Sequence, residues 1–359
     1  MFIRKFQNKV ILLIGILLIF PIILFSQKLI DTLLEKLPKA TESEKITIYI
    51  QVGKQYIDTD KQKAEEYLKK GLAMARATDN FMEQSIALYN LGKLSLQKGD
   101  TARTEDLYKN AEQAAIKANN QNGLYLIYNQ LGLIEFARQH FDKAYEYYRK
   151  SIKAAELDGS NKKGIGIVAL NMSNVYHYWG KYDSAITFQE RALNIFEQIQ
   201  FDQGIATCLN SIGNVYDQLG KYKEAYDYYQ KSYSFCKKIN DLNRMAIACN
   251  NIGNVLAHKN NSYNRNIDSA YYYYSRALEL FKQVNNKQGI ASSLNNIAVS
   301  FSYKQNYAEA LKYFQKSYQI NKETNNLYET AVNLRAMGET YIAMGQYDKA
   351  IEFVTKSLE

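Results

Sequence analysis

The residue types that most often carry out catalysis are few in this sequence and lie far apart along it. The histidines are His140, His177 and His258, and the cysteines are Cys208, Cys236 and Cys249. HExxH, CxxC, GxSxG and glycine-rich phosphate-loop patterns do not occur. The sequence therefore predicts no enzyme active site, no metal site and no cofactor. The cysteines are expected to serve as small buried hydrophobic residues.

Side-chain amides, by contrast, recur at matched positions. One series of asparagines follows an interval of 40 residues and comprises Asn174, Asn214 and Asn254. A second series comprises Asn129, Asn210, Asn250 and Asn295. An amide both donates and accepts hydrogen bonds, and asparagine is only a middling helix former. The recurrence therefore indicates that these asparagines serve either binding or packing.

The asparagines follow a repeat that extends through most of the chain. Two clear copies are LNSIGNVYDQLGKYKEAYDYYQKS (209–232) and LNNIAVSFSYKQNYAEALKYFQKS (294–317). A small residue marks one matched position in each of eight copies: Gly53, Gly92, Gly132, Ser173, Gly213, Gly253, Ala298 and Gly338. A period near 40 residues indicates stacked supersecondary units rather than a globule with a single core.

Each copy has the pattern of two amphipathic helices. In the fifth copy, apolar residues recur every three or four positions over 205–216, a turn follows at 220–222, and a second stripe begins at Ala225. Neither helix buries its stripe alone, so neighbouring copies must stack. Gly213 lies in mid-helix, where glycine costs about 1 kcal/mol relative to alanine. We therefore expect the second helix to approach closely, with Ala225 as the contact.

The repeat resembles the tetratricopeptide repeat (TPR). The residues that match the family pattern in the fifth copy are Gly213, Tyr216, Ala225, Tyr228, Tyr229 and Ser232. The resemblance covers residues 43–359, after an introductory helix at 27–42. It implies an all-α fold, a right-handed α-solenoid of about eight TPR helix-turn-helix units, with the last unit uncapped. Because the family repeat has 34 residues, a longer second helix is expected here.

The resemblance also implies a groove lined by the first helix of each repeat. The family's groove positions carry the asparagines Asn129, Asn174, Asn210, Asn214, Asn250, Asn254 and Asn295. They would be flanked by Asp217, Gln218, His177, Tyr178, His258 and Tyr303. A row of amides can hold an extended peptide by its backbone. The alternative is that these amides bond across neighbouring helices and serve packing alone.

Residues 1–26 have the layout of an export signal. A basic start precedes an apolar run from Val10 to Phe25, which is shorter than the roughly 20 residues of a bilayer span. A cleaved signal peptide is expected, with an uncleaved N-terminal membrane anchor as the alternative. Either one predicts that the repeats are exported to a periplasmic or extracytoplasmic location. Membrane contact would then occur only through this segment.

The positive charge of the chain is dispersed. There are 45 lysines and arginines against 36 acidic residues, which gives a net charge of +9. Basic residues mostly alternate with acidic and amide residues, whereas a nucleic-acid binder clusters them. The sequence therefore predicts a protein or peptide partner and no nucleic acid through these residues. It does not indicate an oligomeric state.

The export-type leader, the introductory helix and the uninterrupted array together resemble the N-terminal sensor region of bacterial TPR-containing signalling proteins, of histidine kinase or transcriptional regulator type. This resemblance implies a module that captures an extended partner segment as the sensory or scaffold part of a signalling protein. Any kinase activity would need a C-terminal domain that this sequence does not contain. The alternative is a stand-alone structural adaptor or a self-associating TPR protein with no signalling output.

Overall fold

The computed structural model describes residues 27–159 and 161–358. The export signal expected at residues 1–26 lies outside the described residues and stays a prediction. All regular structure in the described ranges is helical, which confirms the all-α prediction. No helix in these ranges combines the length and the apolar character needed to cross a bilayer.

The helices are numbered α1 to α17 in chain order, and a 3-10 turn at Leu37–Lys39 follows α1. Their bounds are α1 (27–36), α2 (Glu42–Tyr56), α3 (Lys61–Ala77), α4 (Phe81–Gln97), α5 (Thr101–Lys117), α6 (Gln121–Ala137), α7 (Phe141–Asp158), α8 (Lys162–Tyr178), α9 (Tyr182–Gln198), α10 (Asp202–Gln218), α11 (Tyr222–Lys238), α12 (Leu242–Ala257), α13 (Ile267–Gln283), α14 (Lys287–Tyr303), α15 (Tyr307–Glu323), α16 (Leu327–Ala343) and α17 (Tyr347–Lys356).

From α2 onward the helices pair as antiparallel hairpins, so that the described residues contain eight of them. Each hairpin corresponds to one copy of the sequence repeat. The chain divides into two compact units, Met1–Gly164 and Ile165–Glu359. The first unit holds the hairpins α2–α3, α4–α5 and α6–α7. The second holds α10–α11 to α16–α17, together with the α8–α9 hairpin that begins at the boundary.

Asparagine and aspartate determine where many first helices begin. The side-chain oxygen of the N-cap accepts a hydrogen bond from the N–H three residues later at Asn80, Asn120, Asp241, Asn286 and Asn326. The residue before each cap has a positive φ, between 49° and 58°, at Asp79, Asn119, Asn240, Asn285 and Asn325. Short polar side chains tolerate this conformation best, and each cap stabilises its helix by about 1 kcal/mol.

The small residue in the middle of a first helix leaves room for an aromatic ring of the second helix. A Cβ atom added to Gly213 would lie 2.6 Å from Cε1 of Tyr229, and one added to Gly253 would lie 2.4 Å from Cε1 of Tyr274. The close approach therefore occurs, and the matched alanines contact the glycine in two repeats, where a Cβ added to Gly53 or Gly338 would lie 3.1 Å from the backbone oxygen of Ala64 or 3.3 Å from that of Ala350. Ala225 is buried, whereas the larger ring one turn later reaches the glycine.

The two helices are equal in length in four of the eight hairpins that the structure describes. The helices α4, α5, α10 and α11 each span 17 residues. In α2–α3, α6–α7 and α12–α13 the second helix exceeds the first by one or two residues. A second helix longer than that of the 34-residue family repeat stays a prediction.

An insertion lengthens the turn between α12 and α13, and Asn261 organises it. The Nδ2 of Asn261 donates to the backbone oxygen of Val255 at 2.8 Å. Its Oδ1 accepts from the backbone N–H groups of Tyr263 and Asn264 at 3.0 and 3.2 Å. The side chain is buried, so the inserted residues form a compact turn held by one amide.

Candidate functional site

A groove of about 330 Å³ lies along the first helices α12 and α14 of the second unit. Most of its lining side chains are amides: Asn250, Asn251, Asn254, Asn286, Gln288, Asn296 and Asn321. The others are Ile247, Phe281, Gly289, Ser292 and Glu329. We call this set of twelve residues the amide groove. Its chemistry is that of paired hydrogen-bond donors and acceptors next to a small apolar surface.

The floor of the amide groove is fixed by buried hydrogen bonds on two sides. On one side, Asn250 is buried and its Nδ2 donates to the Oγ of Ser293 at 3.1 Å. On the other side, Asn321 donates from Nδ2 to Oδ1 of the buried Asn333 at 2.8 Å. Asn333 in turn donates to Oδ1 of Asn295 at 2.9 Å. Satisfied buried amides of this kind hold neighbouring helices in one arrangement.

Two exposed asparagines, Asn214 and Asn254, each follow the small residue of their first helix. The Tyr229 hydroxyl donates to Oδ1 of Asn214 at 2.8 Å. The Tyr274 hydroxyl donates to Oδ1 of Asn254 at 3.0 Å. The ring that fills the space left by the glycine thus also positions the amide beside it.

The same oxygens receive a second donor from the next repeat. Asn251 donates from Nδ2 to Oδ1 of Asn210 at 2.9 Å and to Oδ1 of Asn214 at 3.4 Å. Asn296 donates from Nδ2 to Oδ1 of Asn254 at 3.3 Å. We call these five residues the amide ladder, because each bond in it joins one repeat to the next.

The ladder orients the exposed amides. With Oδ1 of Asn214 and of Asn254 each approached by two donors, the Nδ2 hydrogens of both side chains point to solvent. Neither Nδ2 has an acceptor within hydrogen-bond distance among the described residues. These positions therefore offer donors, which suit the carbonyl oxygens of an extended chain.

The structure separates the predicted asparagines by burial. Asn129 and Asn250 are buried, and Asn210 and Asn295 are half-buried and accept hydrogen bonds from the next repeat. The exposed positions are Asn174, Asn214 and Asn254. Of the predicted set, Asn250 and Asn254 line the amide groove. Bonding across helices thus accounts for part of the set, and recognition by the exposed members stays a prediction.

Three of the six predicted flanking residues lie near the ends of α8 and α12. Burial lowers the pKa of His177, which favours its neutral form, and its ring centroid is 6.0 Å from that of the exposed Tyr178. His258 follows α12 with its ring centroid 4.8 Å from that of Tyr222. None of these three described residues lines the amide groove.

The other three flanking residues also lie outside the amide groove. Asp217 is half-buried, and this burial raises the pKa of its carboxyl while the nearby His258 acts in the opposite direction. Gln218 is exposed. Tyr303 is exposed, with the guanidinium of Arg265 lying 5.5 Å from its ring centroid. The predicted role of the six flanking residues in recognition therefore stays a prediction.

Sequence reasoning missed the residues that complete the groove and the ladder. Asn251 and Asn296 are the second members of Asn–Asn pairs at 250–251 and 295–296. This doubling in two successive repeats was the signal that could have found them. Asn286 and Glu329 come from the turn before α14 and the first turn of α16. They lie outside the groove positions taken from the family pattern.

The cysteines take no part in the amide groove. All three are free and buried, as predicted for small hydrophobic residues. Burial raises the pKa of the Cys208 and Cys249 thiols to about 12, so both are protonated at neutral pH. Among the described residues, no group of three or more His, Cys, Asp or Glu side chains is arranged to hold a metal ion.

Hairpins stacked in register, with a groove along their first helices, define a helical repeat protein. A family model described as the MalT-like TPR region matches residues 48–262. A second model, described as tetratricopeptide repeat, matches residues 244–323 and 289–359. The chain belongs to the tetratricopeptide repeat family, as its repeat pattern predicts.

Solved structures share this fold at low sequence identity. The apo form of the quorum sensor NprR from B. thuringiensis matches with a TM-score of 0.66 and 15% identity, over 92% of each chain. The Rap conjugation gene regulator of plasmid pLS20, in complex with a Phr peptide, matches with a TM-score of 0.55 and 14% identity, over 93% of this chain and 94% of that one.

A third similar structure is a signal-transduction ATPase with a tetratricopeptide repeat sensor from Pyrococcus horikoshii. It matches with a TM-score of 0.62 and 15% identity, over 92% of this chain but 51% of that one. No curated protein sequence matches this chain. At these identities the structural matches establish the fold.

Proposed function

We propose that the second unit captures an extended peptide segment of a partner protein, with the amide groove and the adjoining Asn214 as its binding surface. The observation that carries this proposal is the orientation of Asn214 and Asn254. Tyrosine hydroxyls and the next repeat engage their oxygens, so two fixed N–H donors face solvent. Donors held in place before binding lose less entropy when the ligand arrives.

The proposed ligand is extended because the fixed donors belong to successive repeats. A helical peptide bonds its own backbone carbonyls internally, whereas an extended peptide leaves them available. Each donated hydrogen bond is expected to contribute about 0.5–1.5 kcal/mol to binding. The Rap regulator, of similar fold, is in complex with a peptide, and this lends support to a peptide ligand here.

We further propose that peptide capture serves signalling, as the sensory or scaffold part of a signalling protein, and that it takes place outside the cytoplasm. Support for the first point comes from the fold shared with a quorum sensor and with the repeat sensor of a signal-transduction ATPase. Support for the second is the export-type layout of residues 1–26.

A fusion of residues 1–40 to alkaline phosphatase should be enzymatically active in a bacterial host. An inactive, stably produced fusion would refute export.

The peptide proposal can be tested with a phage-displayed library of random 12-residue peptides panned against the purified protein. Enriched peptides are then synthesised, and their affinity is measured by fluorescence anisotropy. Replacing Asn214 and Asn254 together by alanine should weaken binding by about tenfold, because two hydrogen bonds of about 0.7 kcal/mol each are lost.

Asn194 provides the matched control. It is an exposed asparagine on the second helix α9 that accepts one hydrogen bond from Gln198 at 2.8 Å. Asn194→Ala should leave peptide affinity unchanged. Circular dichroism should show that all variants keep the helical content of the parent. Equal affinities of the parent and the double variant would refute a role of the exposed amides in binding.

A further inference from the structure

The charge of the amide groove is opposite to that of the chain. The whole sequence carries a net charge of +9. Among the twelve groove residues, however, Glu329 is the one ionisable group, and none is lysine, arginine or histidine. An anionic carboxylate without a cation beside it, on the wall of a groove, attracts a cationic ligand.

Glu329 is held in position by the start of α16. Its backbone N–H donates to Oδ1 of the N-cap Asn326 at 3.2 Å, so its place in the first helical turn is fixed. Within the described ranges it makes no ion pair within 4.0 Å. The corresponding first-turn glutamate of α15, Glu309, instead pairs with Lys312 at 3.2 Å. Glu329 therefore has a carboxylate available to a ligand.

The apolar part of the groove complements this carboxylate. A Cβ added to Gly289 would lie 2.4 Å from Cδ1 of Phe281, and this ring is buried at the base of the groove. Ile247, which is 37% exposed, supplies the accessible apolar surface. Lysine and arginine combine a long aliphatic stem with a terminal charge, and they bury the stem while the charge stays solvated or paired.

We propose that the amide groove selects peptides that carry a basic side chain, whose cationic group pairs with Glu329 while its stem lies along the exposed Ile247. This inference rests on the proposed capture of peptides and adds a specificity to it. The backbone carbonyls next to the basic residue accept hydrogen bonds from Asn254. An acidic side chain at the same place would meet the Glu329 carboxylate with no groove cation to offset the repulsion.

If Glu329 serves only to stabilise its helix, a different result is expected. An acidic residue in the first turn stabilises a helix through the helix dipole, and that role involves no ligand. Replacing Glu329 would then change the stability of α16 without changing which peptides bind. Charge reversal separates the two roles, because a reversed peptide preference cannot result from a loss of stability.

The experiment uses the same random peptide library with four forms of the protein: the parent, Glu329→Gln, Glu329→Lys and Glu323→Lys. Glu323 is the control, an exposed glutamate at the end of α15 that does not line the amide groove. The readout is the ratio of Lys plus Arg to Asp plus Glu in the enriched sequences, normalised to the starting library.

The parent and Glu323→Lys should enrich basic over acidic residues by about tenfold, which corresponds to about 1.4 kcal/mol. Glu329→Gln should remove this bias, and Glu329→Lys should reverse it. Peptides enriched without charge bias, or with a bias unaffected by Glu329→Lys, would overturn the specificity and leave peptide capture standing. No enrichment by any form would overturn both.

Discussion

The two units build the same hairpins, and both join successive repeats by ion pairs and by side-chain amides, but the amide ladder lies in the second unit. In the first unit, Glu65 of one repeat contacts Lys98 and Arg103 of the next, the latter at 2.8 Å. In the second unit, Asp268 and Lys304 make a similar ionic contact, and the neutral amides of the ladder add bonds between first helices, as between Asn251 and Asn210 at 2.9 Å. Ionic contacts weaken with salt and acid, whereas amide contacts do not change charge. The ladder thus presents uncharged, fixed donors beside the groove.

The same contrast appears at the tyrosine that packs on the small residue. In the second unit, the Tyr274 hydroxyl donates to Asn254. In the first unit, the equivalent residue after Gly92 is Lys93, and the buried Tyr108 hydroxyl has no hydrogen-bond partner among the described residues. Ring packing is therefore common to both units, whereas the bonded amide distinguishes the second. The packed ring is therefore part of the fold, whereas the hydrogen bond from its hydroxyl to an asparagine is a feature of the groove.

The largest expected effect concerns the shared feature. Tyr108→Ala and Tyr229→Ala each remove a fully buried ring that packs on a glycine. Each should lower the free energy of unfolding by about 3–5 kcal/mol, because a large cavity remains. Chemical denaturation followed by circular dichroism measures this. If one variant is destabilised by several kcal/mol more than the other, the buried ring does not contribute equally to the stability of the two units.

A smaller effect should separate the units. Tyr274→Phe removes a satisfied hydrogen bond and should cost about 1 kcal/mol. Tyr108→Phe removes a buried hydroxyl that has no partner, so the free energy of unfolding should stay unchanged or rise by about 1 kcal/mol. The same denaturation experiment compares them. Equal losses of unfolding free energy in both variants would show that the hydrogen bonding of these tyrosines does not distinguish the two units.

The smallest effect concerns the ionic contacts of the first unit. Hydrogen bonds from Lys98, Arg103 and Lys69 hold the pKa of Glu65 well below its usual 4.5. A lowered folded-state pKa stabilises the fold above about pH 4.5, and this contribution is lost as the pH falls through the lowered pKa. Glu65→Gln should therefore cost at most about 1 kcal/mol at pH 7. The difference from the parent should shrink between pH 4.5 and pH 2.5, and also in 1 M salt.

Glu66→Gln is the control for this effect, because Glu66 forms an exposed pair with Lys70 within its own helix at 2.7 Å. It should change stability less than Glu65→Gln does. Hydrogen exchange of the α3 and α5 amides localises the effect to the first unit. Equal protection losses in the second unit would show that the ionic contacts of Glu65 do not act locally.

Much of the fold could be predicted because the same packing pattern recurs in each copy of the sequence repeat. A glycine in mid-helix at a cost of about 1 kcal/mol signals a close neighbour, and the structure has one. The sequence could not tell that the ring of Tyr229, one turn after Ala225, comes nearest to Gly213.

The candidate site could be predicted only in part. The register finds Asn250 and Asn254, which line the amide groove. They are four residues apart and so lie about 40° apart around the helix, yet one is buried and the other is exposed. Packing against the next repeat sets the rotation of the helix about its own axis, and this rotation decides which of the two side chains is exposed. Glu329 comes from the first turn of α16, where no groove position of the family pattern falls.

The compact insertion between α12 and α13 has a practical consequence for protein engineering. Because Asn261 closes the inserted residues on themselves, the extra length leaves the amide bonds on either side of it intact, from Asn251 to Asn210 and from Asn296 to Asn254. Turns of this kind accept further residues at little entropic cost. A tag inserted after Asn264, beyond the hydrogen bonds of Asn261, should therefore leave the amide ladder intact.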